Sequence, residues 1–192
     1  MAVNSQHILV GTPDQLTTGA ILSAPLGTTV PTSAVDTIDT AFIDCGYISS
    51  DGLQLTPSIS TADINDWSGA LVRRIIQTFD GTLTWQHLET NAASLGNAFG
   101  AENVTETAAT SQHGNQLAAQ LGAHLPTPRA WVFKIKDGDT RVLIVVPNGQ
   151  ITNVDAVTFS SSDAVKWAVT LSAYADASGQ NIYIYVDDGQ TA

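Results

Sequence analysis

Apolar and polar residues alternate with a period of two through much of this chain, the pattern of strands with one buried face. Leu83 and Trp85 alternate with Thr82, Thr84 and Gln86, while Trp131, Phe133 and Ile135 alternate with Val132, Lys134 and Lys136. Val165, Trp167, Val169 and Leu171 alternate with Lys166, Ala168, Thr170 and Ser172, and Ile182, Ile184 and Val186 alternate with Tyr183 and Tyr185. Between residues 41 and 91, apolar runs at 42–48, 53–59, 70–79 and 83–88 are punctuated by Asp51-Gly52 and Asp80-Gly81. Such dipeptides accept the positive φ of tight turns, so each is expected to reverse a strand. Asp137-Gly138-Asp139 and Pro147-Asn148-Gly149 are read as further turns. The first leads into 141–146, an unbroken apolar run expected to be covered on both faces. The second leads into a strand over 151–159 with an irregularity near Asn153, the mark of a bulge.

One helix interrupts this pattern. Thr90 or Asn91 can cap it, Ala92, Leu95 and Phe99 share a face, and Gly100 ends it, which predicts a helix over about 91–99. Residues 101–127 form the least strand-like stretch and are expected to be an irregular loop. Within it 114–122 could form a weak helix, with Leu117 and Leu121 on one face. Residues 1–36 are broken by Pro13, Pro25 and Pro31 and read as a strand or two followed by an extended arm. So little apolar sequence leaves the arm dependent on neighbouring subunits for its order. The expectation is a single domain, with the arm over 1–36 and the core over 37–192. Its fold class is all-β with a flanking short α-helix, an antiparallel sandwich or barrel.

Charged residues make up only 13% of the chain, so its polar surface must come from Thr, Ser, Asn and Gln. That suits β-structure whose surface is largely covered by partners. Seven basic residues against 18 acidic ones give a net charge of −11, and no Lys or Arg precedes Arg73. A protein that grips phosphates needs basic clusters, so specific nucleic-acid binding is excluded. No apolar run approaches the roughly 20 residues of a membrane-spanning helix. The N-terminus lacks a basic region followed by an apolar one, which points to a soluble protein made in a cytoplasm.

Candidate chemistry is sparse. There is no G-x-S-x-G elbow, no Cys–His signature, no zinc motif and no glycine-rich phosphate loop, so neither catalytic nor metal nor cofactor residues are assigned. His7, His87, His113 and His124 are scattered. His87 and Glu89, two apart, are expected to form a polar pair on one strand face. Cys45, the lone cysteine, reads as a small buried side chain. Asp137-Gly138-Asp139 and Asp187-Asp188-Gly189 lack the further acidic ligands of a calcium loop. Trp85, Trp131 and Trp167 occupy strand positions expected to face a core. Trp67, in a loop read as 60–68, is either a subunit-contact anchor or a sugar stacker.

The order of Gly46-Tyr47, Asp51-Gly52, Trp67, Arg73, Thr82, Thr84 and Glu89-Thr90-Asn91 resembles the tail tube protein (major tail protein) of long-tailed, non-contractile bacteriophages. Pro128-Arg129, Pro147, the run from Val169 to Tyr174 and Ser178-Gly179 continue the likeness, which spans about residues 35–185. The resemblance implies hexameric rings stacked into a tube that conducts double-stranded DNA into the host without binding it specifically. It also implies contact with other tail proteins, assembly in the host cytoplasm and residence in the virion, with no enzymatic activity and no membrane partner. Asp63, Asp66, Trp67, Arg73 and Arg74 are then candidates for subunit or ring contacts, and Thr82, Thr84, Gln86, Thr170 and Ser172 for the lumen. A lumen of net negative potential is expected, with most of the cations paired or at subunit contacts. The alternatives are a carbohydrate-binding sandwich, or another phage structural role such as a tail terminator or head decoration.

Overall fold

The computed structural model describes residues 8–15 and 18–190. His7 and the remainder of the expected arm at 1–7, 16 and 17 lie outside the described residues. The fold is all-β, with a flanking short helix. The strands are β1 (Ile21–Pro25), β2 (Ile43–Asp44), β3 (Gln54–Asn65), β4 (Leu71–His87), β5 (Val104–Thr107), β6 (Gln116–Ala119), β7 (Arg129–Asp137), β8 (Thr140–Val154), β9 (Trp167–Ala173) and β10 (Tyr183–Asp187). The helix, α1 (Ala92–Phe99), lies between β4 and β5. One antiparallel sheet runs β2-β1-β7-β8-β9-β4-β3, β10 adds to β8, and β5 with β6 forms a separate ribbon.

The sheet rolls into a barrel. Trp85 of β4 and Trp131 of β7 belong to strands three places apart in the sheet, yet their rings meet edge-on at 5.4 Å. The segment after β2 closes the gap between β1 and β4. Cys45 N–H donates to the Ile21 carbonyl (3.0 Å), Ser49 N–H to that of Gln86 (2.9 Å) and Leu88 N–H to that of Tyr47 (2.9 Å). Closure satisfies backbone groups that an open sheet leaves bare. Inside lie Leu83, Trp85, Trp131, Phe133, Ile151, Val169 and Leu171. Outside, Leu22, Ala24, Val132, Leu143 and Val145 form a second core beneath Val30, Ala34, Ile38 and Phe42 of the β1–β2 connection, with Tyr183 and Tyr185 of β10. Strands β7 and β8 are therefore buried on both faces, as the unbroken apolar run predicts.

The helix caps itself as expected. The Asn91 side chain accepts from Ser94 N–H (2.8 Å) while Ser94 Oγ accepts from Asn91 N–H (3.0 Å), a reciprocal capping box. Its buried Ala98 and half-buried Phe99 pack onto the barrel interior, and its Leu95 is buried too.

Two expected breaks are not breaks. Asp80-Gly81 does not turn: β4 runs straight through it, with Asp80 opposite Ser58 and Gly81 between Pro57 and Ala173. Gly81 has no positive φ, and a Cβ there would lie 2.7 Å from Ile182 Cδ1, so the glycine makes room. Nor does Pro147-Asn148-Gly149 reverse the chain. It sits within β8 where two residues bulge between the Trp131↔Val146 and Arg129↔Gly149 pairs. On the opposite edge β10 ends at Val145 and β9 begins at Gly149, so the missing N–H of Pro147 breaks no ladder bond. The bulge expected near Asn153 is present, between Ile151 and Asn153, but β8 ends at Val154. Finally, residues 114–122 are not helical: Gln116–Ala119 pairs with Val104–Thr107.

Candidate assembly surfaces

The β3–β4 hairpin leaves the barrel and projects as a two-stranded ribbon. Strand β9 accompanies β4 only from Gly81 onward, and β3 is the sheet edge. Its turn is shorter than the loop read at 60–68, because β3 extends to Asn65. Asp66 builds that turn. Its Oδ1 accepts from Ser68 N–H (2.9 Å), Ser68 Oγ (2.7 Å) and Ala70 N–H (2.8 Å), and Gly69 takes φ +87°. These donors, the Ser68 hydroxyl first, hold the Asp66 carboxyl below the usual range. The turn leaves Trp67 at the tip, fully exposed.

Behind the tip, Arg74 Nε donates to Asp63 Oδ1 (2.7 Å) and an Nη to Asp63 Oδ2 (3.1 Å), a two-point pair across the ribbon. The guanidinium lowers the Asp63 pKa and the carboxylate raises that of Arg74. Arg73, opposite Ile64, has no ion-pair partner among the described residues. Of the five contact candidates, Asp63 and Arg74 thus serve each other and Asp66 serves the turn. Trp67 and Arg73 point outward unspent.

The ribbon is apolar on both faces. Register shifts at Ser60/Thr61 and Ile64/Asn65 rotate the pattern, so Ile59, Phe79 and Ile76 share one face and Ile64 with Ile75 the other. All five are exposed, along with Leu71 and Val72. A bare ribbon of this kind is marginal in water and is stabilised by being covered.

The five lumen candidates come together on one barrel face. Thr82 pairs with Ser172 and Thr84 with Thr170 across β4 and β9, with Gln86 opposite Ala168. Cross-strand partners point the same way, and all five candidates are half-buried. Gln54 and Thr56 of β3 extend this face through their pairing with Thr84 and Thr82. Thr152 of β8 joins through its hydroxyl contact with Ser172 (2.9 Å). Sequence reasoning missed these three because β3 and β8 are joined to the face by pairing alone. From residue 82 to 86 of β4 and across to β9 the face carries hydroxyls and amides, and Asp80, opposite Ser58, continues it with a carboxylate toward the ribbon. Beyond its end, Lys166 is tied to Asp163 (3.1 Å).

A third surface is an apolar cleft of about 810 Å³ between α1, the β5–β6 ribbon and the ends of β8 and β9. Phe99, Leu117, Leu121, Leu125, Phe159 and Trp167 line it. Trp167 meets Phe99 edge-on at 5.6 Å, and its Nε1 donates to Thr90 Oγ1 (3.0 Å).

The chemically active residue types are built into the scaffold. His87 does not pair with Glu89: it is fully buried, and its Nε2 accepts from Trp85 Nε1 (2.9 Å). Glu89 instead takes Tyr47 N–H (2.9 Å) and the Asn91 side-chain amide (2.9 Å). Burial pushes the His87 pKa down to about 4, against a smaller opposing pull from the Cys45 backbone, and Nδ1 has no hydrogen-bond partner. Cys45 is fully buried, and burial raises its thiol to about 12, the state of an unreactive side chain. Asn97 bridges it to Ser23, donating to Cys45 Sγ (3.0 Å) and accepting from Ser23 Oγ (3.0 Å). Among the described residues no three His, Cys, Asp or Glu side chains converge as a metal site. Within the same residues no helix is long and apolar enough to cross a membrane.

Solved structures are similar to the chain at low identity. The chain is similar to the tube-terminating cap of the anti-feeding prophage (13% identity, TM-score 0.44, 97% of this chain and 100% of that one). It is similar to a chain of the native gene transfer agent virion (9% identity, TM-score 0.39, 79% and 92%). A third is the sheath/tube terminator of the PVC extracellular contractile injection system in its extended state (12% identity, TM-score 0.42, 92% and 99%). No curated protein matches the chain. The family model described as "Phage tail tube protein" matches residues 1–192, and the chain belongs to that family.

Proposed function

We propose that copies of this chain assemble into hexameric rings that stack into a phage tail tube, the conduit for DNA entering the host. The observation that carries this reading is the projecting ribbon, apolar on both faces and uncovered by the other described residues. Membership of the tail tube family supports a structural virion role, with other tail proteins as partners and assembly in the host cytoplasm. The neutral hydroxyl and amide face centred on Thr82, Thr84, Gln86, Thr170 and Ser172 faces the channel. Passing phosphates meet no cation there to pair with, so the DNA slides. Asp80 at the edge of that face and the acidic excess of the rest of the −11 chain supply the negative potential of the wall. Trp67 and Arg73 make contacts between subunits.

Negative-stain microscopy of the purified protein tests this. Rings or tubes about one subunit thick in the wall are expected, and Trp67→Ala is expected to fold normally yet assemble poorly. A wild-type protein that stays monomeric at all concentrations would overturn the assembly reading.

A further inference from the structure

The projecting tip and the apolar cleft lie at opposite ends of the same sheet. The tip turns at Ala70, just before β4 begins, and the cleft opens beyond the end of β4, where Thr90, Phe99, Val154 and Trp167 gather. Seventeen residues of strand separate them, roughly 50 Å at about 3.3 Å per residue. No copy can therefore seat its own tip. Two antiparallel copies could seat each tip in the other's cleft and would stop at a dimer. Between copies running the same way, a tip in a cleft is a head-to-tail contact, which leaves one tip and one cleft free and so propagates.

The two surfaces match in chemistry. Aliphatic and aromatic side chains make up most of the cleft lining, with Gln120, His124, Thr152 and Asn153 among its polar members, and its one indole N–H is already bound to Thr90. Its volume and its apolar majority suit a large apolar anchor. Asp155 is its charged lining residue. The tip presents a fully exposed tryptophan beside Leu71 and Val72. Its Asp63 is neutralised by Arg74, its Asp66 remains an anion held by the hydrogen bonds of the turn, and Arg73 is the tip's cation without an ion-pair partner among the described residues. Apolar anchor meets apolar wall, and Arg73 meets a carboxylate that accepts from the Asn153 amide (2.7 Å) but has no ion-pair partner among the described residues.

We propose that the Asp66–Gly69 tip of one copy, led by Trp67, seats in the α1–β8–β9 cleft of a second copy, with Arg73 near Asp155. This rests on the self-assembly reading above and deepens it by naming the receptor surface for the ribbon. The contact links copies along the strand direction.

Cross-linking between singly substituted chains tests the proposal. Ser68→Cys places a thiol beside the tip, and Gln120→Cys places one on the exposed rim of the cleft, both sparing the apolar contacts. Native Cys45 is fully buried and stays silent. Mixed one to one and treated with a short thiol-to-thiol linker, the two variants are expected to give a covalent dimer that neither gives alone. A chain carrying both substitutions is expected to give a ladder of covalent oligomers. Adding Trp67→Ala is expected to cut the yield by about tenfold or more, as loss of a central anchor does. Microscopy of the same samples separates the failures. Normal rings or tubes without the mixed cross-link overturn the tip-in-cleft contact and leave self-assembly standing. Monomers without cross-links overturn both. A ladder that survives Leu121→Glu in the cleft also overturns the proposal, because a charge on that wall should expel the tip.

Discussion

Burying His87 as a neutral ring makes the stability of the barrel depend on pH in a window where few other groups titrate. The side chain is inside the barrel, bonded through Nε2 to Trp85, and its pKa falls from 6.5 to about 4. Unfolded, it takes a proton near pH 6.5; folded, it resists until about pH 4. The unfolded chain therefore binds more protons throughout this window, and stability falls as the pH falls. Each unit is worth about 1.4 kcal/mol, so moving from pH 7 to pH 5 removes about 2 kcal/mol. In a chain of this size that lowers the melting temperature by roughly 4–8 °C. His87→Gln keeps an acceptor for Trp85 and cannot titrate. Denaturant titrations of both proteins at pH 7 and pH 5, followed by tryptophan fluorescence at one protein concentration, give the difference directly. Stopping at pH 5 keeps the chain above its pI of about 4.3, where it would precipitate. The carboxylates with lowered pKa, among them Asp36, Asp66 and Asp176, lose their contributions at lower pH and are common to both proteins. The variant is expected to lose about 2 kcal/mol less than the wild type. Parallel profiles would show that His87 is not held neutral, and the buried-ring account would fail.

Three further outcomes follow from the packing. Gly149→Ala should destabilise by about 1–3 kcal/mol in chemical denaturation, because its Cβ would meet Leu171, Trp131 and Val146 at 2.9–3.0 Å within the barrel; an unchanged midpoint would mean the interior has slack. Asn91→Ala should cost about 1 kcal/mol by removing the acceptor for Ser94 N–H, and a Ser replacement should recover most of it. Thr84→Lys with Thr170→Lys should leave rings intact but slow DNA release from particles in a dye-fluorescence assay, since two cations per subunit would pair with phosphates. Unchanged release would remove the β4–β9 face from the channel.

The alternating strands of the barrel, the helix and its cap, and the Asp137–Thr140 turn were readable from the chain because each depends on neighbours within a few residues, whereas the short β5–β6 ribbon was not. Alternation at Leu83 and Trp85 or Val169 and Leu171 marks an inward face whatever strand lies alongside. Asn91 and Ser94 cap a helix by local hydrogen bonds, and Gly138 adopts φ +59° in a two-residue turn. The contents of the polar face were half legible: each strand showed its hydroxyls, but only pairing of β4 with β9, more than 80 residues away in the chain, sets Thr82 beside Ser172. Tertiary structure alone decided the rest. Asp80-Gly81 is a turn signal in isolation and a straight strand beside β3, β9 and Ile182, because glycine permits a turn without requiring one and here supplies space. Pro147 is a breaker in isolation and a tolerated bulge where β10 has ended and β9 has not begun. His87 is a surface partner for Glu89 by spacing and a buried acceptor for Trp85 once the barrel closes over it. The exposure of the ribbon followed the same logic: its apolar runs predict burial, and only the end of β9 at Ala173 leaves it uncovered by the other described residues.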